Sequence, residues 1–238
     1  MTRLLGCDFS SSPSTRKSIV LAWGAWRDKR LVLQGLQACT SLVAFEQALH
    51  TPGPWVGGFD LPFGLPRELV TTLKWPLSWK ECIDHFATLS REQIRATFKA
   101  FCDKRPVGGK FAHRATDIPA GSSPSMKWVN PPVAYMLHAG VPLMLQAGLD
   151  FPGLHAGDTQ RVALEAYPGW LARQLMGSRS YKSDDKAKQT PERLIARKVI
   201  LQGLQNGQLG LSLYLRPAQH DALVQDASGD KLDAVLCM

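Results

Sequence analysis

The chain has 238 residues, which at roughly 100–200 residues per domain allows one large domain or one domain carrying a sizeable insertion. Hydrophobic residues make up 45% and charged residues 20%, which excludes a chain that is mainly disordered or fibrous. Lys and Arg number 28 against 20 Asp and Glu, and the net charge of +8 favours an anionic partner: nucleic acid, nucleotide or phosphorylated metabolite.

In chain order, Leu4 to Phe9 reads as an apolar strand interrupted by an acid, Ser10 to Arg16 as a Ser-rich turn, and Ser18 to Trp26 as a β-branched and aromatic strand. Asp28-Lys29 makes a tight reversal before a third strand, Arg30 to Ala38. Such short connections require an antiparallel meander, because parallel pairing needs a crossover of about a dozen residues or more. Ser41 offers an N-cap to a helix whose apolar residues are Leu42, Phe45, Ala48 and Leu49. Beyond the breaker Thr51-Pro52-Gly53-Pro54, a fourth strand runs from Trp55 to Phe59 and ends at Asp60. The expected architecture is therefore α/β, a βββαβ core in one domain spanning 1–238.

Residues 67–157 are expected to be a mostly helical insertion within that domain. Helical periodicity marks Ser78 to Phe86, Arg91 to Phe101 behind the N-cap Ser90, and Pro132 to Ala147; a loop holding Arg114-Ala115-Thr116-Asp117 lies between. Strand character returns over Arg161 to Tyr167, which contains Glu165, and Pro168 ends it. A polar, Lys-rich loop, Tyr181 to Gln189, leads into a helix from Arg193 to Gln205 capped by Thr190-Pro191-Glu192. The closing segment, His220 to Met238, carries Leu223, Val224, Leu232, Val235 and Leu236 as an apolar face.

Cys7, Cys39, Cys82, Cys102 and Cys237 form no close pair, which reads as reduced thiols and leaves no C-x-x-C zinc site. Asp8 arrives before a secretory apolar stretch can build up, and no run approaches the roughly 18 apolar residues of a membrane span. A cytoplasmic protein without membrane association is expected.

Five acids stand out because carboxylates are rarely buried unless they are paired or bind metal. Asp8 lies in the first strand, Asp60 ends the fourth, Glu165 lies in a later one, and Asp230 and Asp233 share a helix face at the C-terminal end. A βββαβ sheet sets its first and fourth strands side by side, so Asp8 and Asp60 should meet. Carboxylates gathered there would repel one another in a low dielectric unless a divalent ion intervened, and hard oxygen ligands select Mg²⁺ or Mn²⁺. Each acid also has a structural reading: a turn or cap for Asp8, Asp60 and Asp230, and neutralisation by Arg161 or another cation for Glu165. Asp233 has the clearest case for function, set in an apolar helix face.

Gly6-Cys7-Asp8-Phe9-Ser10, Gly58-Phe59-Asp60-Leu61-Pro62-Phe63-Gly64, Arg114-Ala115-Thr116-Asp117, Leu164-Glu165-Ala166-Tyr167-Pro168 and Asp230-Lys231-Leu232-Asp233-Ala234 occur in a familiar order. The set resembles the predicted RNase H-like nuclease family known as domain of unknown function 429, over nearly the whole chain. That resemblance implies a ribonuclease H-like mixed five-stranded sheet flanked by helices, and metal-dependent cleavage of phosphodiester bonds in nucleic acid. It implies two Mg²⁺ or Mn²⁺ ions held by Asp8, Asp60, Asp230 and Asp233, with Glu165 as a further ligand or a base orienting water. Arg114 and Asp117 then read as a phosphate contact and its orienting carboxylate, or as a structural pair holding a loop. Lys182 and Lys186, with Lys188, read as contacts to a nucleic-acid backbone or as a solvated loop. Trp75, Trp79, Trp128 and Tyr135 offer base stacking or core packing.

Two other classes fit the same residues. A nucleotide-dependent phosphotransferase of the actin-like, sugar-kinase type would use Asp8, the serines after it and Lys17 to cradle phosphate. A non-catalytic nucleic-acid-binding module would keep the fold and the basic charge alone.

Overall fold

The computed structural model describes residues 2–238. The meander forms as expected: β1 (Arg3–Asp8), β2 (Ile19–Arg27) and β3 (Arg30–Cys39) pair antiparallel. Asp28 and Lys29 both take positive φ, 48° and 62°, the left-handed pair that a two-residue hairpin turn requires. Helix α1 (Leu42–Leu49) starts where the Ser41 hydroxyl accepts the Ala44 N–H at 3.1 Å. Strand β4 (Trp55–Asp60) then returns parallel to β1, residue for residue, from Arg3 opposite Trp55 to Asp8 opposite Asp60.

The segment 67–157 holds α2 (Arg67–Thr72), α3 (Trp79–Ala87), α4 (Arg91–Asp103), α5 (Asp117–Ala120), α6 (Val133–Gln146) and the short strand β5 (Leu149–Asp150). Strand β6 (Asp158–Glu165) pairs parallel with β4 and with β5. After it come α7 (Pro168–Met176), α8 (Pro191–Gln205), β7 (Ser212–Tyr214), α9 (Pro217–Gln225) and α10 (Asp230–Cys237).

The mixed sheet has seven strands in the order β5-β6-β4-β1-β2-β3-β7, two more than the five expected. The two additions are edge strands of two and three residues, too short to carry an alternating pattern in the sequence. Pro168 ends the strand region, as its sequence position suggests, but it also occupies the first turn of α7, where its missing N–H costs nothing. The closing apolar segment divides into α9 and α10, with Gly229 at φ 80° in the break.

The period-two alternation of the strands sends side chains into two cores. Leu5, Cys7, Ile19, Leu21 and Phe59 face α1 and α6, where they pack with Phe45, Leu137 and Val141. Val20, Ala22 and Leu33 face the other way, toward Ala172, Ile200 and the residues Leu232, Ala234 and Val235 of α10. The tryptophans and tyrosine considered for stacking serve packing. Trp75 sits against Phe86 and Phe98, Trp79 against Phe151 with its ring N–H on the Phe63 carbonyl, Trp128 against Phe111, and Tyr135 beneath Arg91. Among the described residues no helix is long and apolar enough to cross a membrane.

One pair of glycines determines where α10 sits. Gly6 and Gly58 are register partners on β1 and β4, each two residues before an aspartate and so on that aspartate's face. A Cβ on Gly6 would overlap the Ala234 carbonyl and the Met238 N–H group, and a Cβ on Gly58 would overlap the Cys237 carbonyl. The two positions form a notch that admits the α10 backbone against the sheet, on the same face as Asp8 and Asp60.

Candidate metal centre

Three of the sequence-predicted acids converge. Asp8 and Asp60 are direct neighbours at the ends of parallel strands, and α10, seated in the glycine notch, brings Asp233 over them. One carboxylate oxygen from each of the three lies within 4.8 Å of the others. Asp233 is fully buried and Asp8 nearly so.

Burial is the main cause of the perturbed acidities, and the mutual repulsion of the carboxylates adds to it. Asp8 is pushed well above the usual carboxylate range by burial and by the charges of Asp233, Asp230 and Asp60, with Lys182 opposing. Asp60 is pushed up to about 7 by burial and Asp233, again against Lys182. Asp233 is also raised by burial, while Lys182 and Tyr181 pull it down. The Tyr181 hydroxyl donates to Asp233 Oδ1 at 2.5 Å and the Lys182 ammonium binds Oδ2. Lys182 is held above its usual range because the carboxylates outweigh its burial. One ammonium thus faces three carboxylates.

Asp230, expected among the metal ligands, stands beside the triad and outside the group of oxygens that converge. Its carboxylate holds Lys17 Nζ at 2.6 Å, and the same ammonium reaches Asp184 at 2.8 Å. Glu165, expected as a ligand or base, is engaged elsewhere. Its two oxygens bind Arg114 at 2.6 and 2.7 Å in a fork, and Oε2 also accepts the Phe63 N–H at 2.9 Å. Arg114 Nε donates to the fully buried Asp117 at 2.9 Å, and the other Asp117 oxygen accepts the Arg114 N–H at 2.8 Å. The Arg-Ala-Thr-Asp segment is therefore tied to β6 and to the loop after β4. The partner of Glu165 is Arg114, while Arg161 bonds Asp158 and the carbonyls of Leu49 and Ala147. Lys186 is exposed in a 3-10 turn over residues 186–188, and it does not line the cavity described next.

A cavity of about 600 Å³ opens over the acids, lined by Asp8, Asp60, Asp230, Glu165, Lys17, Arg114 and Lys182 among others. Two features of the site go beyond the sequence expectations. Tyr181 marks only the start of a loop in the sequence, and no local pattern announces a hydroxyl reaching an acid 52 positions away. The glycine notch does have a signal: Gly-x-Asp occurs in both strands, as Gly6-Cys7-Asp8 and Gly58-Phe59-Asp60.

The raised pKa of Asp60 has a measurable consequence. The folded chain keeps its proton up to about pH 7, whereas an unfolded carboxyl releases it near 3.8. Between those values the folded state binds more protons, so this group's contribution to stability falls as pH rises through the window and levels off above it. In metal-free buffer, Asp60→Asn should gain in melting temperature over the wild type as pH is raised from 4 to 7. A constant difference across that range would contradict the assignment.

Comparison with protein families, curated proteins and solved structures finds no match. Function is accordingly read from the site itself.

Proposed function

We propose that this protein is a metal-dependent nuclease of the ribonuclease H-like type, with Asp8, Asp60 and Asp233 as the ligands of Mg²⁺ or Mn²⁺. The observation that carries this reading is the convergence of three carboxylates from β1, β4 and α10, two of them buried, with the Lys182 ammonium bound to one of them. Buried like charges at this spacing repel strongly, and a divalent cation removes the repulsion. Hard oxygen donors suit Mg²⁺ or Mn²⁺. With Lys182 in place, three ionised carboxylates leave a net negative charge that one divalent ion would balance.

Bound there, the metal would supply a nucleophilic water at neutral pH and offset charge on the scissile phosphate. The chain's own residues supply the rest. Arg114 and Asp117 hold one edge of the cavity, and the net charge of +8 attracts a polyanion. The antiparallel β1–β3 meander, the parallel β1–β4 pair and the acid-bearing helix across them support the ribonuclease H-like reading. The five buried thiols fit a reducing, cytoplasmic setting.

A nucleotide-dependent phosphotransferase would need Lys17 free for phosphate, and here its ammonium is engaged by Asp184 and Asp230. The deciding experiment is a cleavage screen over single-stranded, duplex, hybrid and branched nucleic acids with Mg²⁺ and Mn²⁺, run beside Asp8→Asn. Cleavage should require the metal and fall by more than about 100-fold in the variant, because even groups that only orient a ligand change metal affinity or activity 10- to 100-fold. Phosphate transfer from ATP with no cleavage would favour the phosphotransferase, and binding without either would favour the non-catalytic module.

A further inference from the structure

The lining of the cavity over the triad is of three chemical kinds, the first being the carboxylates of Asp8, Asp60, Glu165, Asp184 and Asp230. Ser10, Lys17, Arg114, Ser122 and Lys182 contribute hydroxyls and cations, and they come from the turn after β1, the loop around α5 and the loop before α8. Leu61, Pro62, Pro131, Pro132, Val133 and Met136 contribute apolar surface, from the loop after β4 and the start of α6. Helix α6 is fixed close to the acids: at Gly140 even a Cβ would press on Leu61 and on Phe9, the residue after Asp8. The loop after β4 and the start of α6 therefore give apolar walls to the same cavity that Asp8 and Asp60 line.

A continuous duplex offers that surface only sugar carbons and groove edges, because its base faces are stacked inside. A nucleotide whose base has left the stack carries both kinds of group at once, an anionic phosphate and an apolar π-face. A cavity of about 600 Å³ is within the range of pockets that enclose a small ligand, roughly 300–1,000 Å³.

We infer that the cavity receives a single unstacked nucleotide, its phosphate toward Asp8 and Asp60 and its base against the apolar surface of Val133, Met136, Pro131 and Pro132. This rests on the nuclease reading and narrows it. The substrate is a single strand, an unpaired end or a short oligonucleotide, in preference to an intact duplex. The basic charge draws the polyanion in, and the insertion selects for an unpaired base.

Adenosine monophosphate, which has no internucleotide bond to cleave, probes the cavity apart from catalysis. With Mn²⁺ present it should raise the melting temperature of the full chain beyond the shift caused by Mn²⁺ alone. Val133→Trp, which fills the apolar surface, should abolish that increment and weaken binding of a fluorescent single-stranded oligonucleotide at least tenfold, while the shift with Mn²⁺ alone persists. Met136→Ala serves as a second variant that leaves space instead of filling it, and it should weaken binding in the same assays. The same oligonucleotide annealed as a blunt duplex should bind at least tenfold more weakly. A dinucleotide competing as well as the longer strand would assign the site to short oligonucleotides, and a better longer strand would assign it to strand ends; both support the unstacked nucleotide. Equal affinity for duplex and single strand, or an increment that survives Val133→Trp, would overturn the inference even with the metal site intact. Loss of the Mn²⁺ shift with the nucleotide increment retained would instead count against the nuclease reading alone.

Discussion

Gly58→Ala should lower the melting temperature by about 6–12 °C. The added methyl would lie 2.1 Å from the Cys237 carbonyl oxygen, a backbone atom that no rotamer change can move. Either α10 lifts from the sheet or the strand bends. Overpacking typically costs about 1–3 kcal/mol, the upper end applying where the obstacle is backbone, and each kcal/mol moves the midpoint of a chain this size by about 2–4 °C. Because α10 carries Asp233, the same substitution should loosen the acid triad and weaken its response to metal. Gly35→Ala is the matched control, another strand glycine whose Cβ would meet nothing within 4 Å, and it should leave the midpoint unchanged or slightly raised. Circular dichroism melts of the two variants beside the wild type decide the matter. Equal losses would show that glycine as such, and not the notch, explains the effect.

A saturating divalent ion should act in the opposite direction. A ligand that binds only the folded state at 100 times its dissociation constant stabilises it by about 2.7 kcal/mol, so Mg²⁺ or Mn²⁺ should raise the midpoint by about 5–11 °C. The Asp8→Asn/Asp233→Asn double variant should show no such rise. Without metal, Asp8→Asn alone should melt above the wild type at pH 8, because it removes a buried carboxyl whose ionisation is opposed by burial and by Asp233, Asp230 and Asp60. Equal metal shifts in wild type and double variant would remove the triad as the shared metal site. Differential scanning fluorimetry with EDTA, Mg²⁺ and Mn²⁺ reads each of these outcomes.

Asp8 and Asp60 are legible in the sequence because a carboxylate inside or at the end of an apolar strand contradicts its surroundings. Asp233 is legible for the same reason on a helix. Their meeting follows from topology, since a meander, a helix and one more strand leave β1 and β4 as neighbours. The roles of Lys182, Tyr181, Arg114 and Glu165 are not legible. Lys182 lies 51 residues from Asp233, and Arg114 lies 51 residues from Glu165, so no spacing rule connects them. Arg161, the nearer cation on the same strand as Glu165, is the reasonable partner from sequence, and packing assigns it elsewhere.

Local chemistry thus determined a good deal alone: the strands β1 to β4, the helices capped by Ser41 and Ser90, the helical character of residues 67–157 and the identity of the misplaced acids. Each of these depends on hydrogen bonds and side-chain periodicity within a few residues. Only the tertiary structure decided which acids share a site and which are neutralised. Asp8, Asp60 and Asp233 converge because two glycines let a helix backbone touch the sheet. Asp230 and Glu165 do not join them because Lys17 and Arg114 reach them first. The energy of a buried charge depends on whatever stands within a few ångströms of it, and that is a property of the folded chain.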